Sequence, residues 1–286
     1  MLKKWIGLVL SCVALPLQAA VIVQDDTGRT VNLPQPAQRI VSLAPHVTEQ
    51  LFAIGAGEKI VGAVEYSDYP EQARAIPRVG GYSRLDLERV LALKPDLVVA
   101  WQSGNDARAI ERLQALGLVV YLSEPRRLPD IADGMARLGI LAGQAEKAQQ
   151  QAELFRRRLD ELRKQYRNRK ERTVFYQIWN QPLMTVSERH LINDVITLCR
   201  GRNIFAKLEA LTPTVSLEAV LAADPEVIIA SGMGKERPEW LDEWKTWTQM
   251  QAVKAGRLYV VDPNIIQRAT PRLLLGAEQM CRFFHQ

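Results

Sequence analysis

Leu87-Glu-Arg-Val-Leu-Ala-Leu-Lys-Pro-Asp-Leu-Val-Val-Ala100 and Leu217-Glu-Ala-Val-Leu-Ala-Ala-Asp-Pro-Glu-Val-Ile-Ile-Ala230 are one phrase written twice, 130 residues apart and identical at seven of fourteen positions. Each copy reads as a short helix that stops before Pro95 or Pro225, followed by an unbroken apolar run. Such a run suits a parallel strand covered on both faces, because alternation is lost when neither face meets water. Two copies of a helix-strand module predict two similar α/β lobes with a cleft between them. The acids Glu88 and Glu218 then fall at equivalent places, one on each lobe.

Working outward, the chain of 286 residues with 47% apolar composition is long enough for two packed domains. Lys3 and Lys4, an apolar run over residues 5–17 and the small-residue end Gln18-Ala19-Ala20 describe a secretory signal peptide over residues 1–20, cleaved near Ala19 or Ala20. Its apolar run is shorter than a membrane span needs, and no later segment reaches about eighteen residues. The mature chain is therefore read as exported and soluble. Once Cys12 leaves with the signal, Cys199 and Cys281 remain in an oxidising compartment, which favours a disulfide; two buried thiols are the alternative. Net charge is +5, and much of the basic excess sits over residues 156–172 with acids interspersed. That pattern reads as a solvated helix face, and no nucleic-acid partner is expected.

A hairpin is predicted over residues 21–34 with Asp26-Thr27-Gly28 as its turn, then a strand at 39–43 and a helix at about 47–54 with His46 or Thr48 near its start. Strands are also expected at 60–64, 118–122, 172–179 and 258–261, with helices at 191–199 and from about 271. Residues 144–169 lack Gly and Pro and place Ala145, Ala148, Ala152, Phe155, Leu159, Leu162 and Tyr166 at three- and four-residue spacing, which predicts one amphipathic helix about 37 Å long. The expected organisation is an N-terminal lobe over 21–143, a connecting helix over 144–170 and a C-terminal lobe over 171–286. Each lobe is expected to be Rossmann-like, with a central, mainly parallel sheet. A single helical connector resists bending, so little hinge closure is expected.

Catalytic chemistry finds no foothold. Gly55-Ala-Gly-Glu-Lys59 lacks phosphate-loop spacing, there is no Gly-x-Ser-x-Gly elbow, and His46, His190 and His285 form no metal-ligand pair. The chain is read as non-enzymatic, with no catalytic residue, metal or catalytic cofactor. His46 follows a strand end, where open α/β sheets bind ligands, although a surface or capping role would also place it there.

Four stretches carry a resemblance: Arg39-Ile-Val-Ser-Leu-Ala-Pro-His-Val-Thr-Glu49, the Leu-Glu-x-Val-Leu-Ala-x-x-Pro repeat, Trp247-x-x-Met-x-Ala-Val-Lys-x-Gly-Arg-Leu-Tyr259 and Arg268-Ala-Thr-Pro-Arg272. They resemble the helix-linked periplasmic substrate-binding proteins, which feed ABC importers for vitamin B12, haem and ferric siderophores. Glu65-Tyr-Ser-Asp-Tyr-Pro70, the run ending in Trp101 and the Cys199/Cys281 pair are most similar to its vitamin B12-binding members. The resemblance implies a periplasmic protein, monomeric when free, that holds cobalamin edge-in between its lobes. The implied ligand contacts are Tyr66 on the N-lobe side and Arg268 on the C-lobe side; Pro45, His46, Tyr82, Trp101, Trp179, Asn264 and Ile265 are further candidates read for the same cleft. It also implies that Glu88 and Glu218 dock on the two subunits of an inner-membrane permease carrying its ATPase subunits. Two-fold symmetry in the partner suits one acid per lobe.

The chain departs from those members. Tyr82 and Ile265 stand where they carry Trp, Thr212 replaces another Trp, Asn264 replaces an acid, and Trp179 replaces a glycine and is expected to refill part of the lost wall. The hairpin at 25–34 is commoner among iron-ligand binders, which leaves haem or a ferric siderophore as the alternative cargo. Tyr66, Tyr82 or His46 would then ligate haem iron, or Arg78, Arg84, Arg268 and Arg272 would meet an anionic siderophore, with Arg272 also expected to cap the last helix.

Overall fold

A computed structural model describes residues 20–232 and 238–286. Nearly all of the expected signal peptide, with Lys3, Lys4 and Cys12, lies outside the described residues. The chain opens with the antiparallel hairpin β1 (Val21–Gln24) and β2 (Thr30–Leu33). Its turn is built as expected: the Asp25 carboxylate accepts from the Thr27 and Arg29 amides at 2.9 and 3.0 Å, and Gly28 takes φ +83°.

The N-terminal lobe runs β3 (Ile40–Ser42), α1 (Pro45–Ala53), β4 (Ile60–Ala63), α2 (Leu87–Ala92), β5 (Leu97–Trp101), α3 (Ala107–Ala115), β6 (Val120–Ser123) and α4 (Leu128–Leu141). The connecting helix is α5 (Ala145–Tyr166). The C-terminal lobe follows with β7 (Arg172–Gln177), α6 (Leu191–Leu198), β8 (Gly201–Asn203), α7 (Leu217–Ala223), β9 (Val227–Ala230), α8 (Gln251–Lys254), β10 (Leu258–Val260), α9 (Pro263–Ile266) and α10 (Leu273–Phe284). The two four-stranded sheets are β4-β3-β5-β6 and β10-β9-β7-β8, parallel throughout. Counted within each lobe, both have the strand order 2-1-3-4. The repeated phrase forms α2-β5 in one lobe and α7-β9 in the other, so it supplies the third strand, which lies beside the first, in both sheets.

Burial explains why those runs are continuous. In β5, Leu97 and Val99 enter a core that extends through both lobes, whereas Val98 and Ala100 enter a second core on the outer face. In β9, Val227 and Ile229 join the same shared core while Ile228 and Ala230 face an outer one with Trp244. Helix α5 places six of the seven predicted stripe residues, Ala148 to Tyr166, in the shared core, while Ala145, at the first position of the helix, is exposed. It is stapled to both lobes, to α4 through Arg156–Asp133 at 2.6 Å and to α10 through the Arg158–Glu278 ion pair.

Five elements escaped the sequence reading: α3, α4, β8 and the four-residue helices α8 and α9. Helix α4 contains Gly134 and Gly139, which blurred its helical signal, yet Gly139 has a packing reason: a Cβ there would lie 2.1 Å from that of Ala148 on α5. Helix α1 begins at Pro45, two residues earlier than expected, because proline is well suited to a first helical turn. His46 therefore sits inside the helix. Arg272 does not cap α10 with its side chain, which is drawn instead to Glu49.

Cys199, at the end of α6, and Cys281, on α10, form a disulfide with Cα atoms 4.6 Å apart, so the thiol alternative is set aside. The bond closes a loop of sequence separation 82, worth about 4.5 kcal/mol in the chain-entropy model. Replacing both cysteines with serine should lower the unfolding free energy by about 2–5 kcal/mol, read from urea denaturation under oxidising conditions; an unchanged midpoint would show the cross-link to be idle.

Candidate functional site between the lobes

The carboxyl ends of the strands in both sheets converge on one interlobe cavity, as expected for open parallel sheets. His46 follows β3, Trp101 ends β5 and Glu124 follows β6; from the other lobe come His190 at the start of α6, Leu211, and the segment after α9 with Gln267 and Ala269. The enclosed space is about 50 Å³ in this conformation. The larger apolar area lies at its margins, where Tyr66 is 67% exposed and Tyr82 41% exposed. Large exposed rings are costly on a soluble surface and mark a binding face when they gather around a cleft.

The N-lobe rings are positioned as a set. Trp101 meets His46 edge-on at 5.5 Å and Tyr82 at 6.0 Å between centroids. Asn105, only 8% exposed, holds this wall together. Its amide nitrogen donates to the Leu43 and Tyr82 carbonyls at 2.9 and 2.6 Å, and its oxygen accepts from the Trp101 amide at 2.7 Å. One buried side chain thus ties the end of β3, the Tyr82 loop and the end of β5. The nearby Ser42, Thr48 and Ser67 hydroxyls form a buried chain at 2.8 and 3.2 Å that anchors the turn carrying Tyr66.

Tyr66 has φ +63°, a left-handed conformation that costs a bulky residue about 1–2 kcal/mol. Arg268 supports it from the opposite lobe, donating to the Tyr66 carbonyl at 3.1 Å. The same guanidinium donates to Glu49 at 2.8 Å and Asp68 at 2.9 Å. Arg272 grips Glu49 through two nitrogens at 2.9 and 2.7 Å and lies 3.5 Å above the Tyr69 ring. Gln50 adds a bond across the lobes to the Ala269 carbonyl at 2.6 Å. The Arg268-Ala-Thr-Pro-Arg272 motif is thereby the bolt between the lobes.

The two cavity histidines are electrically silent near neutrality. Burial, reinforced by the positive charge of Arg268, lowers the His46 pKa to about 4. Burial, with Arg126 nearby, does the same for His190, whose Nδ1 accepts from the Ile192 amide at 3.1 Å and caps α6. Among the described residues no group of three or more His, Cys, Asp and Glu side chains is arranged to hold a metal ion.

The structure brings His46, Trp101 and Tyr82 into mutual contact and joins Tyr66 to Arg268. Pro45 opens α1 beside His46, and Ile265 and Asn264 lie in α9, next to the cavity-lining Ile266. The Asn264 side chain bonds back to Asp262 at 3.0 Å. Trp179, 37% exposed, follows β7 and donates to the Gln181 carbonyl at 3.0 Å, but is not among the residues lining the enclosed cavity. Arg78 is spent on the Ala73, Ile76 and Ser67 carbonyls. Arg84 is exposed in the loop that follows Tyr82. Glu88 and Glu218 are exposed in the first turns of α2 and α7, after the matching N-caps Asp86 and Ser216. The sequence reading missed Asn105, Asp68 and the organising role of Glu49, although Glu49 closes one of the quoted motifs.

Comparison with known proteins places this geometry. Residues 40–265 match the family described as periplasmic binding protein. A vitamin B12-binding protein of Vibrio cholerae is 39% identical over 251 residues, 87% of this chain and 90% of that one. One from Yersinia pestis is 37% identical over 269 residues, covering 94% and 92%. The crystal structure of the periplasmic vitamin B12 binding protein of Vibrio cholerae superimposes with TM-score 0.80 at 38% identity, covering 87% of this chain and 96% of that one. A periplasmic heme-binding protein from Roseiflexus shares the fold, with TM-score 0.77 at 22% identity over 87% and 98% of the two chains. Two like-ordered parallel lobes, one interlobe cleft and relatives of this coverage agree: the chain belongs to the periplasmic binding protein family.

Proposed function

We propose that this protein is the exported carrier that captures vitamin B12, or a related corrinoid, in the periplasm and presents it to an inner-membrane ABC importer. The observation that carries the reading is the ring-lined margin of the cleft, Tyr66 and Tyr82 outside and Trp101 and His46 behind them. A corrinoid is a broad disc edged by amides. Its faces need apolar area and its rim needs a few fixed polar groups. The naming of the 37–39% identical relatives supports the same cargo.

The enclosed 50 Å³ is well below the ~300 Å³ at which sites for larger ligands begin. The corrinoid therefore seats edge-in against the exposed rings, with the lobes spreading slightly. The signal peptide is removed near Ala19 or Ala20, and residues 21–143, 144–170 and 171–286 act as lobe, strut and lobe, monomeric when free. Haem or a ferric siderophore remains the second reading, supported by the shared fold of the heme-binding protein. Mixing purified mature protein with cobalamin, haem and iron-loaded siderophores, with calorimetric heat and absorption change as readouts, decides among them; heat with haem alone would overturn the corrinoid reading.

Glu88 and Glu218 would engage like arginine-bearing pockets on two permease subunits. Substituting both with alanine should abolish stimulation of transport by the reconstituted importer while cobalamin affinity holds. Loss of affinity as well would contradict this division of labour.

Trp179→Ala and Tyr82→Ala should each weaken cobalamin binding roughly tenfold, the usual cost of removing one buried aromatic anchor. An unchanged dissociation constant for Trp179→Ala would remove that residue from the site.

Because His46 and His190 stay neutral down to about pH 4, lowering the pH from 8 to 5 places no new charge on them. Cobalamin affinity should stay within about threefold over that range; a loss centred near the ordinary histidine pKa of ~6.5 would show that an imidazole titrates freely in the cleft.

A further inference from the structure

The charges that bolt the lobes together beside the cleft are matched one for one; Arg268 adjoins the cavity through its neighbours Gln267 and Ala269. Arg268 and Arg272 bring two positive charges; Glu49, with its side chain 2% exposed, and Asp68 bring two negative ones. Every bond in the cluster lies between 2.7 and 2.9 Å, apart from the reach to the Tyr66 carbonyl and a weaker one from Arg272 to the Asn264 carbonyl at 3.5 Å. Glu124 and Arg126, on the cavity wall, pair at 3.5 Å. Arg189 is the remaining cation of the lining; it is exposed, where water and salt screen it, and donates to the Glu209 carbonyl at 3.1 Å.

Guanidinium groups in a binding cleft are ordinarily an invitation to carboxylates and phosphates. Here the invitation is withdrawn by the protein's own acids. Burial works against the charge on Asp68, but its bond to Arg268 and the attraction of that cation outweigh burial and keep its pKa below the usual carboxylate value. The carboxylate is therefore present at neutral pH to hold the guanidinium.

We infer that Glu49 and Asp68 are specificity-determining residues: by neutralising Arg268 and Arg272 at the lobe junction they make the adjoining cleft select an uncharged, amide-rimmed ligand and reject an anionic one of the same shape. The inference rests on the corrinoid reading and adds the chemical basis of discrimination. A ligand carboxylate approaching this junction must give up water without finding a free guanidinium in the cluster, and it meets two carboxylates already in place. Removing one acid leaves one unit of positive charge uncompensated beside the His46 and Tyr66 walls. That charge then favours anions.

The test uses ligands that differ by charge alone. Cobalamin and its monocarboxylic acids, in which one propionamide is hydrolysed, are titrated by calorimetry at low salt into wild type, Asp68→Asn and Glu49→Gln. Wild type should bind each acid about tenfold more weakly than cobalamin, and in both variants the gap should close by about tenfold for at least one acid and reopen in high salt. Asp68 is 47% exposed, so Asp68→Asn decides if Glu49→Gln does not fold, with circular dichroism reporting folding. Cobalamin bound by wild type with the same gap in both folded variants would overturn the charge filter alone. A folded wild-type protein that binds neither cobalamin nor its acids would overturn the corrinoid reading as well.

Discussion

The architecture depends on the need of an all-parallel sheet to be covered on both faces. Each lobe covers its outer face with its own helices, but the inner faces of the two sheets are closed by one core that includes α1, α4, α5, α6 and α10. Neither lobe can therefore complete its burial alone. This shared core fixes how the sheets face each other, and so brings the carboxyl ends of β3, β5 and β6 opposite the loops of the second lobe. The cleft is a consequence of that packing. The long helix α5 contributes six buried side chains to the same core and runs its charged face through ion pairs to both lobes. A connection of this kind favours small adjustments over wide hinge closure.

On this frame the cleft combines two kinds of surface. The margin is aromatic and exposed, which is energetically unfavourable in water and becomes favourable only when something flat covers it. The lobe junction beside it is polar and already satisfied, with Arg268 holding the strained Tyr66 turn while its own charge is cancelled by Glu49 and Asp68. The first offers area to a flat ligand, and the second holds the lobes together. These contacts set the spacing between the lobes directly beside the aromatic margin.

Parts of this were legible in the linear chain because they repeat or alternate. The doubled phrase revealed two equivalent strands, since a fully buried strand needs an unbroken apolar run whatever surrounds it. The stripe on α5 was readable because helical periodicity depends on local spacing alone. Helix α4 was not, because Gly134 and Gly139 lower helix propensity and the value of Gly139 lies in the close approach of Ala148 on the next helix, a packing contact that local propensity does not register. Arg272 stands at the N-cap of the last helix as expected, but its side chain has no acceptor to offer the helix amides and goes instead to a nearly buried carboxylate 223 positions away in sequence. Asn105 was invisible for a similar reason: its three bonds join segments up to 62 positions apart.

The sequence by itself determined two duplicated α/β lobes, their long helical connector and an acid at matching places on each, because these follow from pattern and period within short windows. The tertiary structure alone decided which side chains meet across the lobes, which arginine charges are cancelled, and which histidines stay neutral. Those properties depend on distance and dielectric between residues far apart in the chain, and neither quantity exists until the shared core has closed.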